Sequence, residues 1–382
     1  MTKLAIAYDC LYPVQRGGGE RVYRRVAELL TERGIDVTYV TRAEWATNGA
    51  PRTPFDLVSV WRGPIYDARG NRLTGSALKF AFGLFRHFVR RRGRYDAVIV
   101  AALPVLNVFA VRLALLGSRT RIAVDWLEVW QWRKWREYAG LVTGTIAWVL
   151  QGLAAQIGRV QTVNSQFTKR NLAAYRRGSD PIVLGLVDLV GEPQSPHTRA
   201  SDAPPFALFV GRHIPDKRLA ALPTALEVAR EQLPDLRLKV AGSGPETDRA
   251  KAAAVASGVA DSCDWLGRVS DEVLNELYRT AAVLVNPSAR EGFGLVVAEA
   301  AAWGTPSVVV AGADNAAAEL VTNDVNGWVA ADATAGELGT AIVAVVASGN
   351  ALRARTLSWF ASERSERSLA GSVDELLRRL RD

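Results

Sequence analysis

The residues best suited to chemistry lie between Arg290 and Pro306, where Glu291 and Glu299 stand eight positions apart in a glycine-containing segment. If the loop becomes a helix at Gly294, Glu291 lies at the mouth of the helix N-terminus and Glu299 little more than one turn inside it. Free backbone amides at such an N-terminus favour anions. The pattern therefore predicts a phosphate site whose carboxylates accept hydrogen bonds from a ribose or a sugar. The alternative interpretation is a surface helix with a capping glutamate, but it gives the glycines no role.

A second group of polar residues follows the apolar run 206–210. Gly211 lets the chain turn, and Arg212 and Lys217 then present two cations suited to a diphosphate and to the charge of a leaving group. The phosphate-loop pattern GxxxxGK[ST] does not occur in the sequence, so an NTPase site of that type is not expected. A basic loop that caps a helix through Asp216 is the alternative interpretation.

Two further glycine turns precede predicted helices. Gly17-Gly18-Gly19-Glu20 follows the first strand-like run, and Gly242-Ser243-Gly244-Pro245-Glu246 follows another, with Pro245 suited to a first helical position. Such turns are common in strand–helix–strand units, so each is a weak sign of backbone close to a ligand.

An alternation of strands and helices positions these groups. The predicted strands are 4–7, 36–40, 57–61, 97–101, 121–124, 160–164, 182–185, 206–210, 237–241, 263–266, 282–286 and 307–310, and the predicted helices are 20–33, 216–232, 246–257, 271–280, 294–303 and 373–380. This order commits neighbouring strands to parallel sheets. The predicted fold class is α/β, with two Rossmann-like, doubly wound domains.

The predicted domain boundaries follow from a linker rich in Pro and Ser at 190–205. The first domain is expected to cover residues 1–195 and the second 204–358. Residues 359–382 are expected to form a C-terminal helical segment that packs back on the first domain.

Charge is divided unevenly between the two halves. Residues 1–200 carry 29 Lys and Arg against 15 Asp and Glu, whereas residues 201–382 carry 18 against 24. Such asymmetry indicates an anionic partner for the first half. An anionic membrane surface, an anionic acceptor and nucleic acid are the candidates.

The cysteines and the N-terminus bear on the compartment. Cys10 and Cys263 form neither a disulfide framework nor a Cys-rich metal motif, and the first residues lack a signal-peptide pattern. The three histidines have no ligand spacing. We therefore expect a metal-free, cytoplasmic protein, with peripheral binding to the inner face of the cell membrane as an additional expectation.

Two helical segments invite comparison with membrane helices. Residues 75–94 place Phe80, Leu84, Phe88 and Val89 at helical spacing, with five arginines behind them. This pattern fits a core helix with a solvated basic end or a membrane-surface helix. The uncharged stretch 141–158 is long enough to raise the question of a bilayer span, but its Gly, Thr and Gln residues favour a buried helix.

A cluster of tryptophans follows the strand predicted at 121–124. It contains Trp126, Trp130, Trp132 and Trp135, interleaved with Arg133, Lys134 and Arg136. The cluster could stack on an acceptor sugar, lie at a membrane interface, bind nucleic acid or simply pack under a loop. Acceptor recognition or membrane contact is favoured over nucleic acid because the predicted donor site is near.

Together these motifs resemble those of the retaining glycosyltransferases of family 4, which have the GT-B fold of two Rossmann-like domains facing across a cleft. The resemblance extends over essentially the whole chain: the N-terminal glycine loop, the GRxxxxK segment, the AGxGPE turn and above all the EGFGLxxxEAxxxGTP segment. It implies a UDP- or GDP-linked sugar donor, transfer with retention of the anomeric configuration, and no metal cofactor because Arg and Lys neutralise the diphosphate.

The resemblance also implies roles for individual residues. Arg212 and Lys217 would hold the diphosphate and stabilise its departure, and Glu299 would bind the ribose. Glu291 and the backbone of Phe293, Gly294, Leu295 and Val296 would contact the transferred sugar. Gly18 and Gly19 would close over the diphosphate from the first domain, and Arg268 and Val269 would line the base pocket.

One position departs from the family pattern. Many members carry a histidine in the first domain that faces the donor sugar, whereas the matching strand end here, residues 123–130, contains none. Asp125 is the expected substitute, with Glu128 second, because a carboxylate can stabilise an oxocarbenium-like centre or take the acceptor proton. A helix cap is the alternative role of Asp125.

The function expected from the sequence is retaining transfer of a sugar to a lipid-linked or saccharide acceptor. The residues expected to carry catalysis are Arg212, Lys217, Glu291 and Asp125. A nucleotide-sugar epimerase or a phosphorylase of the same fold is an alternative, and a basic nucleic-acid-binding protein is an alternative from another class. The sequence leaves open the nucleotide, the sugar, the acceptor and the oligomeric state.

Overall fold

The computed structural model describes residues 1–15, 17–45, 49–65, 73–178, 180–194 and 204–382. The chain divides into two compact units, unit 1 (residues 1–189 and 367–382) and unit 2 (residues 190–366). Each is built around its own parallel sheet, which confirms the predicted fold class of two Rossmann-like domains. Residues 195–203 of the predicted linker lie outside the described residues.

Unit 1 has a seven-stranded parallel sheet in the order β3-β2-β1-β4-β5-β6-β7. Its elements are β1 (Lys3–Ala7), α1 (Gly18–Glu32), β2 (Asp36–Ala43), β3 (Asp56–Arg62), α2 (Thr74–Arg90), β4 (Ala97–Ala101), α3 (Leu106–Ala114), β5 (Arg121–Trp126), α4 (Trp132–Ala139), α5 (Leu141–Ala154), β6 (Val160–Val163), α6 (Gln166–Ala173) and β7 (Ile182–Val183). The inner strands β1, β4, β5 and β6 are short and largely buried, as expected where helices cover both faces of a parallel sheet, whereas the edge strand β3 has no buried residue.

The crossovers decide which face each helix covers. The chain moves from β1 to β2 in one direction and then from β3 through β7 in the other. Right-handed crossovers therefore place α1 on one face and α2, α3, α5 and α6 on the opposite face. The second group contributes to one shared core, with Phe80 of α2, Val111 of α3, Ala154 of α5 and Leu172 of α6 all buried in it.

The structure decides between the two interpretations of α2 only in part. Phe80, Leu84 and Phe88 are fully buried, as the core-helix interpretation requires. Val89, which the spacing grouped with them, is instead 42% exposed. The helix therefore has a core side and a second, outward-facing apolar side.

The prediction of a buried helix over 141–158 is wrong on two points. The helix α5 ends at Ala154, and its only buried residues are Gly144, Gln151 and Ala154. Its large apolar side chains mostly face outward. Its glycines, rather than these large residues, lie against neighbouring segments of unit 1. Within the described ranges no single helix is long and apolar enough to cross a membrane, although the bent pair 335–347 and 349–381 meets the length and composition criteria together.

Unit 2 has a six-stranded parallel sheet in the order β10-β9-β8-β11-β13-β15 and a small two-stranded sheet, β12-β14. Its elements are β8 (Phe206–Val210), α7 (Ala221–Arg230), β9 (Arg237–Ala241), α8 (Thr247–Ala256), β10 (Cys263–Gly267), α9 (Asp271–Thr280), β11 (Val283–Asn286), β12 (Arg290–Glu291), α10 (Leu295–Ala302), β13 (Ser307–Val310), β14 (Asp314–Asn315), β15 (Gly327–Ala330), α11 (Ala335–Ala347) and α12 (Gly349–Glu366). Of these, β12, β14, β15 and α11 have no counterpart in the sequence-based prediction, and α12 overlaps only the start of the helical segment predicted at 359–382.

The helix predicted at 216–232 forms as two pieces. A single 3₁₀ turn covers Pro215–Lys217, and α7 begins only at Ala221. The break occurs because Arg218 adopts a left-handed conformation with φ of 48°, which an α-helix does not allow. The interruption keeps Lys217 in the loop after β8.

The C-terminal residues divide between the two units. The helix α12 belongs to unit 2, where Phe360 is fully buried. The last helix, α13 (Leu369–Arg381), belongs to unit 1 and packs on α1, where Asp374 pairs with Arg33 at 2.9 Å. The division falls between residues 366 and 367 rather than at 358. Leu352 of α12 is buried in the core of unit 2.

Candidate functional site

The candidate site of unit 2 lies at the centre of its sheet. The strands β8 and β11 are neighbours there, and the strand order proceeds outward from them in both directions. Loops that leave the carboxyl ends of such a pair diverge and open a crevice where ligands bind in open α/β sheets. The loop after β8 carries Arg212 and Lys217, and the loop after β11 carries Glu291.

Lys217 and Glu291 are in direct contact. The Lys217 ammonium donates to Oε1 of Glu291, and the two side chains are 20% and 13% exposed. The same oxygen accepts weaker hydrogen bonds from Asn286 Nδ2 at 3.3 Å and Ser288 Oγ at 3.2 Å. Glu291 is thus held on several sides and remains partly accessible.

Asn286 and Ser288 were missed by the sequence analysis. They occupy the last position of β11 and the turn that follows it, in the run Asn-Pro-Ser. A polar pair at the carboxyl end of an otherwise apolar strand was the available signal.

A second ion pair fixes the two loops to each other. Arg290 pairs with Asp216 at 2.8 Å, and the backbone amide of Ala289 donates to the Asp216 carbonyl at 2.8 Å. Asp216 therefore binds the neighbouring loop, which differs from the alternative role of a helix cap. The pairing of β12 with β14 braces the loop from its other side.

The N-terminus of α10 opens at the same edge. Gly294 is its N-cap residue, with φ of 96°, and Leu295 is the first helical residue. An added Cβ at Gly294 would lie 2.6 Å from the Cβ of Ala317, so both the backbone conformation and the space require glycine. The half-buried side chains of Phe293 and Val296 pack on the core of unit 2, and the backbone of both residues lies at the candidate site.

Glu299 lies within α10, as predicted. It is half-buried, and its Oε2 accepts a hydrogen bond from the Tyr278 hydroxyl at 2.7 Å. Tyr278, on α9, orients the carboxylate and was not identified from the sequence. No local pattern links these two residues, because they lie on different helices.

The loops after β8, β9 and β10 interlock. Gly242 donates from its amide to the Gly267 carbonyl at 2.7 Å, and its φ of 131° brings its Cα against the Gly211 carbonyl so closely that no Cβ fits. Arg268 donates from Nε to Ser243 Oγ at 3.3 Å. Val269 packs half-buried against the core, and Arg212 is exposed at the end of β8.

His213 is buried beneath this loop group. Its Nδ1 lies 2.7 Å from Thr247 Oγ1, and its backbone carbonyl accepts from the Glu246 amide at 3.0 Å. Burial lowers the pKa of His213, so the ring is neutral near neutral pH. The side chain fastens the loop after β8 to the start of α8.

The glycine loop of unit 1 differs from the prediction. Gly18 and Gly19 are the first helical residues of α1 rather than part of a free loop, and Gly17 is the N-cap residue. An added Cβ at Gly19 would lie 3.0 Å from the Tyr8 hydroxyl and 3.1 Å from Leu127 Cδ1. Gly19 thus allows a close approach of the helix to residues that follow β1 and β5.

Asp125 does not offer a free carboxylate, contrary to its expected role. It is 3% exposed within β5, where the hydroxyls of Tyr23 and Thr162 donate to its two oxygens. Burial raises the pKa of Asp125, and these hydrogen bonds partly offset the effect. Nor is Asp125 a helix cap, since it lies within a strand. Glu128, the second choice, accepts from Trp130 Nε1 at 2.7 Å.

The tryptophan cluster is divided by burial. Trp126 is in the core, with its indole donating to Gln161 at 2.5 Å, whereas Trp132 is 38% exposed. The rings of Trp130 and Trp135 pack at 4.7 Å. Simple packing therefore accounts for part of the cluster, and the outer part lies on α4.

Among the described residues, no group of three or more His, Cys, Asp or Glu side chains is placed to hold a metal ion. Charge at the candidate site comes instead from Arg212, Lys217, Glu291 and the N-terminus of α10. This arrangement can bind a diphosphate and hydroxyl groups side by side.

Two family models match the chain. The model for "Glycosyl transferases group 1" matches residues 192–356, and the model for "Glycosyl transferase 4-like domain" matches residues 17–184. One model thus covers most of unit 2 and the other most of unit 1.

Curated relatives match part of the chain. An uncharacterised glycosyltransferase of Methanocaldococcus jannaschii is 37% identical over 123 residues, which cover 32% of this chain and 31% of that protein. A D-inositol 3-phosphate glycosyltransferase of Geodermatophilus obscurus is 37% identical over 180 residues, covering 43% of this chain and 39% of that protein. The matched segments thus span less than two-fifths of the length of these relatives.

Solved structures match over the whole chain. Sucrose-phosphate synthase from Thermosynechococcus elongatus has a TM-score of 0.78 at 18% identity, with 100% of this chain and 99% of that chain covered. HepE from Anabaena, in complex with UDP and glucose, has a TM-score of 0.69 at 16% identity, with the same coverage. At these identities the matches establish the fold.

Proposed function

The chain belongs to the family 4-type glycosyltransferases of GT-B fold, and we propose that it transfers a sugar, with retention, from a nucleotide-diphosphate donor to a lipid-linked or saccharide acceptor. The observation that carries this proposal is the contact between Lys217 and Glu291 beside the N-terminus of α10. The contact brings together, at one point of the sheet edge, a cation suited to phosphate and a carboxylate suited to sugar hydroxyls.

The proposed diphosphate site consists of Arg212, Lys217 and the N-terminus of α10. Arg212 and Lys217 follow the same strand, and an ammonium has three donors, so Lys217 can bind a phosphate oxygen while it keeps its bond to Glu291. The free amides at the start of α10 add further donors. Because these groups supply positive charge where the leaving diphosphate develops negative charge, no metal is included in the proposal.

The nucleotide and the transferred sugar are assigned to residues around this diphosphate site. Glu299, oriented by Tyr278, is assigned to the ribose hydroxyls, and the loop at Arg268 and Val269 to the base. Glu291, with the backbone from Phe293 to Val296, is assigned to the hydroxyls of the transferred sugar. UDP is the first nucleotide to try because HepE of similar fold was solved with it, and GDP is the alternative.

The reaction proposed is a substitution on one face of the sugar. The bond between the anomeric carbon and the diphosphate oxygen breaks while the acceptor oxygen bonds to the same face, and the acceptor proton passes to the departing diphosphate. This route needs no protein base, which agrees with the burial of Asp125. Positive charge around the diphosphate stabilises both the departing oxygen and the transition state.

The acceptor is assigned to unit 1. The excess of Lys and Arg in residues 1–200 suits an anionic acceptor. Relatives named D-inositol 3-phosphate glycosyltransferase, whose acceptor name includes a phosphate, are consistent with this choice. The cytoplasm is the proposed compartment, in line with the buried Cys10 and Cys263, neither of which forms a disulfide.

The proposal is tested by thermal unfolding in the presence of UDP, GDP and their sugars. A nucleotide at about 100 times its Kd should stabilise the protein by about 3 kcal/mol, and E299A and R212A should remove the effect. The product of the active donor is then examined by NMR for the anomeric configuration. The absence of a shift with any nucleotide would overturn the proposal.

Two further experiments separate the alternatives. An epimerase would convert or release the donor sugar without an acceptor, so donor-only incubation distinguishes it. A nucleic-acid-binding protein would bind nucleic acid with strong salt dependence, and E299A and R212A would leave that binding unchanged.

A further inference from the structure

One face of unit 1 is covered by helices whose outer sides are apolar. We call the apolar face the set of large, exposed apolar side chains on α2, α3 with the turn after it, and α5. Its members are Leu78, Phe82, Phe85, Val89, Leu113, Leu116, Leu141, Val142, Ile146, Val149 and Leu153. The crossover rule places these helices on the same side of the sheet, opposite α1.

The spacing of the apolar face repeats in two helices. On α2 its residues follow the series 78, 82, 85, 89, and on α5 they follow the series 142, 146, 149, 153. Both series advance by four, three and four residues and therefore form straight stripes along a helix. Phe82 is 66% exposed and Val142 is 71% exposed, so the stripes are separate from the buried sides of the same helices.

The helices on this side of unit 1 carry a net positive charge. The helices α2, α3, α5 and α6 contain no Asp or Glu, whereas their basic residues are Lys79, Arg86, Arg90, Arg112, Lys169 and Arg170. The helices of the opposite face, α1 and α13, balance five acidic residues against six arginines, so their formal charge is +1 compared with +6 for the first group. The acidic residues are Glu20, Glu28, Glu32, Asp374 and Glu375, and the arginines are Arg21, Arg24, Arg25, Arg378, Arg379 and Arg381. The basic excess of unit 1 is therefore directional, which indicates an anionic surface as the partner of the apolar face.

Amphipathic aromatic residues lie next to the apolar face. The helix α4, which packs on α5, has no buried residue. Trp132 and Tyr138 on it are 38% and 52% exposed, and the Arg136 guanidinium lies 4.8 Å from the Trp132 ring. Tryptophan and tyrosine with nearby cations are typical of the headgroup level of a bilayer.

We propose that the apolar face docks unit 1 onto an anionic phospholipid bilayer. The stripes of α2 and α5 enter the boundary between headgroups and acyl chains, Arg86 and Arg90 bind lipid phosphates, and Trp132 and Tyr138 lie at the headgroup level. A second copy of this chain fits less well, because a symmetric contact would set basic helices against each other. Nucleic acid would use the cations and leave the apolar stripes in water.

The docking proposal goes beyond the proposed function and needs no sugar donor for its test. The helix α4 follows the carboxyl end of β5, so the docking surface adjoins the edge of the sheet where ligands bind in such folds. A lipid-linked acceptor would therefore reach unit 1 from the surface on which the protein sits.

The test is flotation of the full chain with vesicles of phosphatidylcholine alone and with vesicles containing equal parts of phosphatidylglycerol. We expect binding to the anionic vesicles. F82S and I146S should each weaken it by about tenfold, and R86Q and R90Q by about fivefold each. The matched controls V255S and R249Q, on α8 of unit 2 with 70% and 73% of the side chain exposed, should bind like the wild type.

Three results would overturn the proposal. The first is the absence of binding to anionic vesicles by folded wild-type protein. The second is equal weakening by F82S and V255S, which would exclude a specific face. The third is a concentration-dependent dimer that F82S disrupts while vesicle binding stays unchanged, since the face would then contact a second copy. Circular dichroism of each variant checks that it is folded.

Discussion

The ammonium of Lys217 and the carboxylate of Glu291 are in direct contact although 74 residues separate them in the chain. The contact forms because β8 and β11, which precede the two residues, are neighbours at the centre of the sheet of unit 2. Two loops that are remote in sequence thus bring a positive and a negative side chain into contact. The contact is accessible on one side, which distinguishes it from the buried polar contacts of unit 1.

Replacing Lys217 with methionine should separate catalysis from folding. K217M removes the cation proposed to bind the diphosphate, and we expect kcat/KM for the donor to fall by about 100-fold or more. Glu291 keeps its hydrogen bonds from Asn286 and Ser288, so the free energy of unfolding should fall by about 1–3 kcal/mol only. Steady-state kinetics and urea unfolding measure the two effects.

The control for this variant is K251M, which changes an exposed lysine on α8 of the same unit. It should retain wild-type kinetics. Unchanged kinetics of K217M would contradict the assignment of Lys217.

Replacing Gly294 with alanine should destabilise unit 2. G294A combines a positive φ of 96° with a contact of 2.6 Å between its Cβ and that of Ala317, so we expect the free energy of unfolding to fall by about 2–4 kcal/mol. G258A is the matched control, since its φ is 66° but nothing lies within 4 Å of an added Cβ. It should cost about 1 kcal/mol.

The double variant G294A/A317G tests whether the contact with Ala317 causes this loss of stability. Removing the Cβ of Ala317 should restore part of the stability that G294A loses. Equal destabilisation by G294A and G258A would show that the backbone conformation alone matters.

The hydroxyls that hold Asp125 should contribute to the stability of unit 1. Y23F and T162V each remove one donor to a buried carboxylate, and we expect each to lower the free energy of unfolding by about 1–3 kcal/mol. Their effects should not add, because both act on Asp125. Urea unfolding of the two variants and the double variant measures this, with Y138F, at an exposed tyrosine, as the control.

The nucleotide affinity of unit 2 should be the same in Y23F, T162V and their double variant as in the wild type. If Y23F and T162V were as stable as the wild type but inactive, the carboxylate of Asp125 would act in catalysis after all.

His87 should make the stability of unit 1 depend on pH. Burial, with smaller effects from Arg91 and Arg94, lowers the pKa of His87 to about 4, and its Nε2 lies 3.1 Å from the Tyr95 hydroxyl. In the unfolded chain the pKa is about 6.5. Between these two values the unfolded state binds more protons, so stability falls as the pH is lowered from about 6.5 to about 4.

The measurement is the free energy of unfolding of wild type and H87Q at about pH 7 and about pH 5. The wild type should lose about 1–2 kcal/mol more than H87Q over this interval, because glutamine does not titrate. Equal losses would show that His87 is protonated in the folded protein as readily as in the unfolded chain.

Much of the fold could be predicted because buried parallel strands are short, continuous apolar runs. The predictions at 97–101, 206–210 and 307–310 coincide with β4, β8 and β13. The helix α11 was missed although Leu338, Ala341, Ile342 and Val345 stand at helical spacing. The start of α12 was missed because its buried side includes the polar residues Arg353 and Thr356, which give no apolar pattern. The break before α7 was missed because the left-handed conformation of Arg218 has no signature in its neighbours.

The sequence by itself determined the α/β fold class, the family resemblance and the motif that contains Glu291 and Glu299, because these depend on residue type and spacing along the chain. Only the tertiary structure decided which side chains meet. It joined Lys217 to Glu291, gave Glu299 a partner in Tyr278 and buried Asp125 beneath two hydroxyls. It also turned the large apolar residues of α5 outward. Such contacts depend on strand order and on the face that each crossover covers, and periodicity along the chain carries no information about either.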